Sequence, residues 1–572
     1  MKIVLTAINA KYIHSNLAVY SLKAYADRFK DSIEIAEYTI NQQTDDILID
    51  LYKRKPDILC FSCYIWNLSY VEELIQEIKK IFPTLPIWVG GPEVSYDARS
   101  VLTRLPEVTG VMFGEGEETF KELVEYYHGE GTSLDDIRGI AYRRVEGDII
   151  QNEWRPVIDL SLVPFVYEDM EDFKNKIVYY ESSRGCPFSC SYCLSSIDKC
   201  LRFRDLNLVK KEMQFFIDEE VPQVKFVDRT FNCNHKHAME IWKYLVEHDK
   251  GITNFHFEVA ADLLNEEEIQ LIEKMRPGLI QLEIGVQSTN PETIKEIRRT
   301  MKFSEVARIV KRINKNGNVH QHLDLIAGLP YEGLESFKHS FDDVYHLYPE
   351  QLQLGFLKVL KGSYMEEQRQ AYGLVYKSRP PYEVLYTNWL SYEEILQLKM
   401  VEEMVEIYYN SGQFSYTIRK LEQEFNSPFE LYFQLGKYYE SRGLRMMSHS
   451  RITRYEVLLD FIKSLGIKEE RLYEELLTFD LYLRENVKNR PSFAGEYSVS
   501  KEVLTGFYEE EAERHLYLKG YEQYDKRQLR KMTHIEAFQY NVLGDCEPKN
   551  LLILFDYENR SKLNHQASVF SV

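Results

Sequence analysis

Long apolar runs are missing from this chain. No stretch approaches the roughly 20 uninterrupted apolar residues of a membrane span. The opening segment MKIVLTAINA lacks the apolar core and small-residue cleavage site of a secretory signal. A cytoplasmic protein with no membrane partner is expected. Cysteine is sparse, eight in 572 residues, which excludes a disulfide scaffold. In a reducing compartment, closely spaced cysteines more often bind metal or do chemistry. Positive charge is outnumbered, with 70 Lys and Arg against 90 Asp and Glu and a formal net charge of −20. Phosphate binding needs clustered cations, so nucleic acid is not an expected partner. Repeats and low-complexity segments are absent as well.

What is present changes character along the chain, and the length implies two to four domains. Over residues 1–140 short apolar strands alternate with amphipathic helices. Strands are expected at Lys2–Ala7, Asp57–Ile65, Pro86–Val89 and Gly110–Phe113, and helices at Asn16–Phe29, Leu68–Phe82 and Thr119–Tyr127. Glycines close the strands, in Val89-Gly90-Gly91-Pro92-Glu93 and Phe113-Gly114-Glu115-Gly116-Glu117. This is the pattern of a Rossmann-like, doubly wound α/β sheet, which binds ligands at the carboxyl ends of its strands. Residues 141–176 read as a connector with a hairpin around Gly147. From 177 to 380 the alternation resumes, with strands at Ile177–Ser182, Val224–Val227, Asn254–Val259, Leu279–Val286, His320–Ile326 and Gln351–Val359. Six such units predict a partial (β/α)6 barrel of TIM type, with chemistry at the C-terminal strand ends. Over 381–572 strand signals fade and a mostly α-helical domain is expected. Its aromatic residues, including Tyr386, Trp389 and Tyr392, suit a core better than a binding box.

The chemistry concentrates in Ser183-Arg184-Gly185-Cys186-Pro187-Phe188-Ser189-Cys190-Ser191-Tyr192-Cys193, directly after the first barrel strand. Three thiols on a Gly/Pro/Ser loop can converge on one metal centre, and soft thiolates suit an iron–sulfur cluster or zinc. A structural zinc site wants a fourth protein ligand, for which Cys200, His235 and His237 are candidates. Cys60 and Cys63 lie on a predicted buried strand and read as core thiols, and neither Cys233 nor Cys546 is expected to be a ligand.

Cys-x3-Cys-x2-Cys with an aromatic residue before the last cysteine resembles the motif of the radical S-adenosylmethionine superfamily. The resemblance implies a 4Fe–4S cluster on Cys186, Cys190 and Cys193. Its open iron chelates S-adenosylmethionine, and its electron cleaves the sulfonium to a 5′-deoxyadenosyl radical. It places Tyr192 near the adenine. Later strand ends resemble the same superfamily. Asp228 stands in a second-strand motif that helps hold the methionine amine, and Glu258 on the third strand is near ribose or amine contacts. Glu283 and Gln287 are in the fourth-strand pattern Leu282–Ser288, and Gly328 is in the fifth-strand pattern Asp324–Pro330, which packs against adenine. Each carboxylate has an alternative as a satisfied buried group.

A Rossmann-like domain ahead of such a barrel resembles the cobalamin-binding arm of one radical S-adenosylmethionine subclass. Ser62, Gly90, Gly91, Glu93, Gly114 and Gly116 are then the cobalamin-binding candidates, the small ones admitting a large ring or its nucleotide tail. The Asp-x-His-x-x-Gly motif that supplies a cobalt-ligating histidine elsewhere is absent, and His14, the one early histidine, lacks its Asp and Gly. The resemblance implies radical hydrogen abstraction and transfer of a methyl group to an unactivated carbon of an unknown substrate, or a rearrangement. It also implies an external electron donor such as flavodoxin or ferredoxin. Two alternatives stay open: a cobalamin-independent, methylthiotransferase-like RNA modifier, and a zinc-bound interaction scaffold.

Overall fold

A computed structural model describes every residue except Thr132, Asp198 and Met446. The chain forms two compact units. One comprises Met1–Asn316, Ile326–Ser336 and Gly355–Tyr392; the other comprises Gly317–Leu325, Phe337–Leu354 and Glu393–Val572.

The first unit opens with strands β1 (Ile3–Asn9), β2 (Ile33–Thr39), β3 (Ile58–Ser62), β4 (Ile87–Gly90), β5 (Gly110–Met112), β6 (Ile140–Arg143) and β7 (Ile149–Gln151). They form one sheet in the order β2-β1-β3-β4-β5-β6-β7. The first five are parallel and the last two antiparallel. Every residue of β1 is buried, because helices cover both faces of a parallel sheet. Strand β2 is an edge strand with a mixed burial pattern, so its weaker apolar signal is absent from the sequence-based expectation. The hairpin expected around Gly147 forms as β6 and β7. Those two strands extend the first sheet, so residues 141–151 belong to that sheet and not to a free connector. The helix Leu68–Ile81 shows how the faces are built. It buries Leu68, Val71, Leu74, Ile75 and Ile78, at the three- and four-residue spacing that lines one side of a helix. The strand order reverses between β1 and β3, and open α/β sheets bind ligands at that switch.

The same unit continues with β8 (Val178–Tyr180), β9 (Ser183–Arg184), β10 (Arg202–Phe203), β11 (Gln223–Phe226), β12 (Asn254–Val259) and β13 (Ile280–Gln287). Strands β8, β11, β12 and β13 are neighbours in sequence order and all parallel. Helices Leu206–Asp218, His235–His248 and Glu266–Glu273 connect them. Winding always in one direction is what a barrel requires, in contrast to the reversing order of the first sheet. The fifth and sixth expected strands form as β14 (His320–Ala327) and β15 (Gln351–Phe356), so the fold class read from the sequence holds. A short hairpin, β16 (Val375–Tyr376) and β17 (Val384–Tyr386), follows.

The second unit is helical over Glu393–Met532, for example Pro428–Ser441, Arg451–Ser464 and Glu470–Arg484. It then departs from the expectation. Strands β18 (Thr533–Tyr540), β19 (Pro548–Asp556) and β20 (Ser568–Ser571) form an antiparallel sheet. Their alternation is masked in the sequence by interleaved Glu, Gln and Tyr. No helix among the described residues is long and apolar enough to cross a membrane.

Gly110 on β5 lies opposite Trp88 on β4, and a Cβ there would overlap the indole ring. Trp88 is completely buried, so the ring cannot swing away. Gly110→Ala is expected to lower the stability of the chain by about 1–3 kcal/mol, the usual cost of overpacking a tight core. Chemical denaturation followed by tryptophan fluorescence measures it, and an unchanged midpoint contradicts this packing.

Candidate functional site

The cysteine loop is fastened from below. Asp228, just past β11, is fully buried and accepts hydrogen bonds from Ser182 N at 2.9 Å, Ser182 Oγ at 2.6 Å and Ser183 Oγ at 2.6 Å. Burial pushes its carboxyl up to about 6, against the pull of these donors. The expected methionine-amine contact is therefore not where the structure aims Asp228; it secures the strand that enters the loop. Strands β9 and β10 then pair across the base of the loop. Gly185 has φ +93°, and a Cβ there would come within 2.6 Å of the Cys200 carbonyl oxygen, so the turn requires glycine.

Within the loop Cys186 and Cys190 are buried and Cys193 is half-buried, all as free thiols. The Arg299 guanidinium lies 3.8 Å from Cys190 Sγ, and Thr230 Oγ1 lies 3.7 Å from Cys186 Sγ. Burial raises the Cys190 thiol while Arg299 draws it back down. Tyr192 faces Cys190 and Arg299. The donor set is three soft thiolates beside one half-buried cation, which fits an anionic iron–sulfur cluster. The zinc alternative loses its histidines. His237 Nε2 is engaged with Ser182 Oγ at 3.0 Å, and His235 Nδ1 with Glu268 at 3.0 Å.

The later strand-end residues fall into two groups. Glu258 and Glu283 stand opposite each other on β12 and β13. Glu283 is shared by Lys225 at 2.9 Å and His256 at 3.0 Å. Gln287 ends β13 with φ +72° and a buried Oε1 that has no hydrogen-bond partner, an acceptor open to a ligand. Gly328, with φ +93°, is packed so closely on β17 that a Cβ would reach Val384 at 2.8 Å.

Two adjoining cavities open at the carboxyl ends of the first sheet. The first, of about 670 Å³, is walled by Ser62, Gly90, Gly91, Gly114 and Gly116, five of the six predicted positions. At Gly91, φ +113°, a Cβ would come within 2.5 Å of the Cys63 carbonyl oxygen. Ser62 Oγ accepts from Asn16 Nδ2 at 3.2 Å, which leaves its own proton to donate. Glu93, the sixth position, is on neither wall: it is buried and its carboxyl turns to the Tyr382 phenol. The second cavity, of about 680 Å³, runs from Asn9, His14 and Asn16 to Gly185, Leu194 and Ser195 of the cysteine loop. His14 Nδ1 bonds the Tyr179 hydroxyl at 2.6 Å. Burial, then Lys11 and Lys225, lowers the pKa of this imidazole from its usual value. Tyr64 and Trp66 stack at 4.4 Å on the wall. Volumes of this size, floored by glycines and walled by aromatic rings, fit a large planar ring with a tail.

Several wall residues were not predicted. Trp154 and Arg155 come from the connector, where no periodicity marks them. Tyr64 and Trp66 follow β3 in an apolar run that reads as strand. Arg184 lines both cavities beside the cysteine loop and is held by Glu117 at 2.7 Å, Glu181 at 2.7 Å and Glu115 at 3.0 Å. Its place beside the cysteine motif, and the glutamates between Gly114 and Thr119, were the available signals. Cys60 and Cys63 pack into separate core layers, so they cannot supply the paired thiols of a second cluster.

Replacing Cys186, Cys190 or Cys193 by Ser should cut the iron content of anaerobically reconstituted protein several-fold. It should also remove the absorption at roughly 400 nm that thiolate-bound clusters give. C200S and C233S should retain both, and loss of the band in C233S contradicts the three-ligand assignment.

Three family models match the chain: "B12 binding domain" over residues 3–124, "Radical SAM superfamily" over 180–344, and "Protein of unknown function (DUF4080)" over 370–555. The 2-(S-pantetheinyl)-carbapenam-3-carboxylate methyltransferase of Streptantibioticus cattleyicolor is 24% identical over 50% of this chain and 44% of its own length. The anaerobic magnesium-protoporphyrin IX monomethyl ester cyclase of Rubrivivax gelatinosus is 22% identical over 55% and 59%. The chain thus spans about half the length of these curated relatives. Among solved structures, the cobalamin-dependent S-adenosylmethionine radical enzyme OxsB with aqua-cobalamin bound has the same fold. It has a TM-score of 0.58 at 16% identity, covering 89% of this chain and 84% of that one. The two matched functional domains bring a 4Fe–4S cluster, S-adenosylmethionine and cobalamin as cofactors. The chain carries a B12-binding domain over residues 3–124 and a radical S-adenosylmethionine domain over residues 180–344.

Proposed function

We propose that the protein is a cobalamin-dependent radical S-adenosylmethionine methyltransferase that methylates an unactivated carbon. The observation that carries this reading is the second cavity. Its wall is shared by the strand ends of the first sheet and by Gly185, Leu194 and Ser195 of the cysteine loop. A substrate there can face both cofactors without leaving one chamber. When bound, the cluster with S-adenosylmethionine supplies hydrogen-atom abstraction, and cobalamin supplies a transferable methyl group.

The chain's own residues bind, orient and shield. Cys186, Cys190 and Cys193 hold the cluster, and Arg299 sets a cation against one of the thiolates. We assign Tyr192, Glu258, Glu283 and Gln287 to orienting S-adenosylmethionine. Ser62, Gly90, Gly91, Gly114 and Gly116 cradle the cobalamin, and Tyr64 and Trp66 exclude water from it. Arg229, exposed on the second cavity's wall, is positioned to draw in an anionic group of the substrate. An external reductant, a flavodoxin or ferredoxin in kind, would supply electrons. Rearrangement or ring closure is the second reading, favoured by the relative named as a cyclase.

Anaerobically reconstituted protein should take up about one equivalent of hydroxocobalamin, with a shift in its visible spectrum. Given S-adenosylmethionine and a reductant, it should release S-adenosylhomocysteine as the corrinoid is methylated. With substrate, 5′-deoxyadenosine should accumulate alongside S-adenosylhomocysteine. Deoxyadenosine alone during turnover excludes methyl transfer and leaves rearrangement. A colourless, zinc-containing protein sinks both.

A further inference from the structure

The cysteine loop is closed at its base by the two-residue ladder of β9 and β10. Each strand of that ladder contributes an arginine, Arg184 before the loop and Arg202 after it. Both converge on one carboxylate, Glu115, which follows the end of β5. Its second oxygen accepts the backbone N–H of Ile158 at 2.7 Å. The knot is poorly hydrated, with side-chain exposures of 17% for Glu115, 22% for Arg184 and 13% for Arg202. Glu117 and Glu181 complete the coordination of Arg184, and the Glu115 side chain links both ends of the loop. The same side chains are cavity walls: Glu115, Glu117 and Arg184 line the first cavity, and Glu117 and Arg184 also line the second.

We infer that Glu115 is a positioning residue that couples the two cofactor sites, so that filling the strand-end cavities is felt electrostatically at the cluster loop. A ligand in either cavity touches the groups that hold the loop ends. In a low-dielectric setting their charges act on the cluster with little screening. Coupling of this kind is reciprocal. Removing the Glu115 charge leaves the surroundings of the loop one unit more positive, which favours the reduced, more negative cluster.

The inference rests on the cofactor assignment above, and its test separates the two. The full chain, reconstituted anaerobically, is titrated to the cluster midpoint potential by electron paramagnetic resonance, with and without hydroxocobalamin. The unaltered protein should change its midpoint when the corrinoid binds. E115Q should start at a less negative midpoint and lose the corrinoid-induced change while still binding corrinoid by absorbance; E115D, which keeps the charge, should restore both. E125Q removes an equal charge from the helix Gly116–Tyr127 that follows Glu115, away from the knot, and should match the unaltered protein. Should E115Q fail to hold a cluster, R202Q removes one cation and should move the midpoint the opposite way. Midpoints unmoved in both E115Q and R202Q, or moved equally in E125Q, overturn the inference. Failure to bind any corrinoid defeats the cobalamin assignment instead, and the corrinoid-free midpoints still decide the role of Glu115.

Discussion

One carboxylate, Glu115, takes Arg184, Arg202 and the Ile158 N–H together, and the arrangement of the cysteine loop depends on it. A loop that presents three thiols to a cluster cannot also satisfy its backbone by regular pairing. Its ends are held by the short β9–β10 ladder and by side chains. Buried ion pairs add little net stability, because desolvation offsets most of the Coulomb gain, but leaving one partner alone is costly. The knot therefore specifies a geometry more than it stabilises a fold. It also recruits residues far apart in sequence, from the end of the first sheet, the start of the connector and both sides of the loop.

The same economy of polar groups shapes the neighbouring strand ends. Asn67 donates to the carbonyl oxygens of Ile8 at 3.0 Å and Ser62 at 2.9 Å, and Trp66 Nε1 donates to Ile8 at 3.0 Å. These bonds quiet the backbone at the reversal between β1 and β3. The space above can then be lined by glycine and aromatic rings without stranded donors. Asp228 does the equivalent work beneath the loop by absorbing the hydroxyls of Ser182 and Ser183. Two of the acidic residues singled out by motif thus serve as supports rather than as cavity walls, Asp228 under the loop and Glu93 against Tyr382.

The second unit is organised by buried carboxylates too. Asp480 accepts from the Tyr416 and Thr417 N–H groups that begin the helix Ser415–Leu421, at 3.0 and 2.9 Å. Glu475 accepts from Gln539 and Tyr540 in β18. Its tyrosines pair with one another and with glutamate, as Tyr345 does with Tyr432 and Glu422. That accounts for these tyrosines as core, whereas Tyr386 and Tyr392, expected to suit a core, are exposed.

The local chemistry was legible in the amino-acid sequence alone. Cysteine spacing, the strand before it and the glycines that end β4 and β5 depend on neighbours within a few residues, so periodicity and motif expose them. The edge strand β2, the continuation of the first sheet through β7 and the sheet β18–β20 were not legible, because partial burial there blurs the alternation. The direction of each strand-end side chain was equally hidden. Whether Glu93 and Asp228 face a cavity or a neighbour depends on which donors folding brings near them. Glu115 was in plain view within Gly114-Glu115-Gly116-Glu117, yet its role needs Arg184 and Arg202, some 70 and 90 residues away, to arrive at the same place. The sequence by itself determined the thiol atoms and the strand-end glycines that make up the candidate site. Only the tertiary structure decided which charges hold those atoms, because ion pairing between distant segments leaves no periodic trace in the chain.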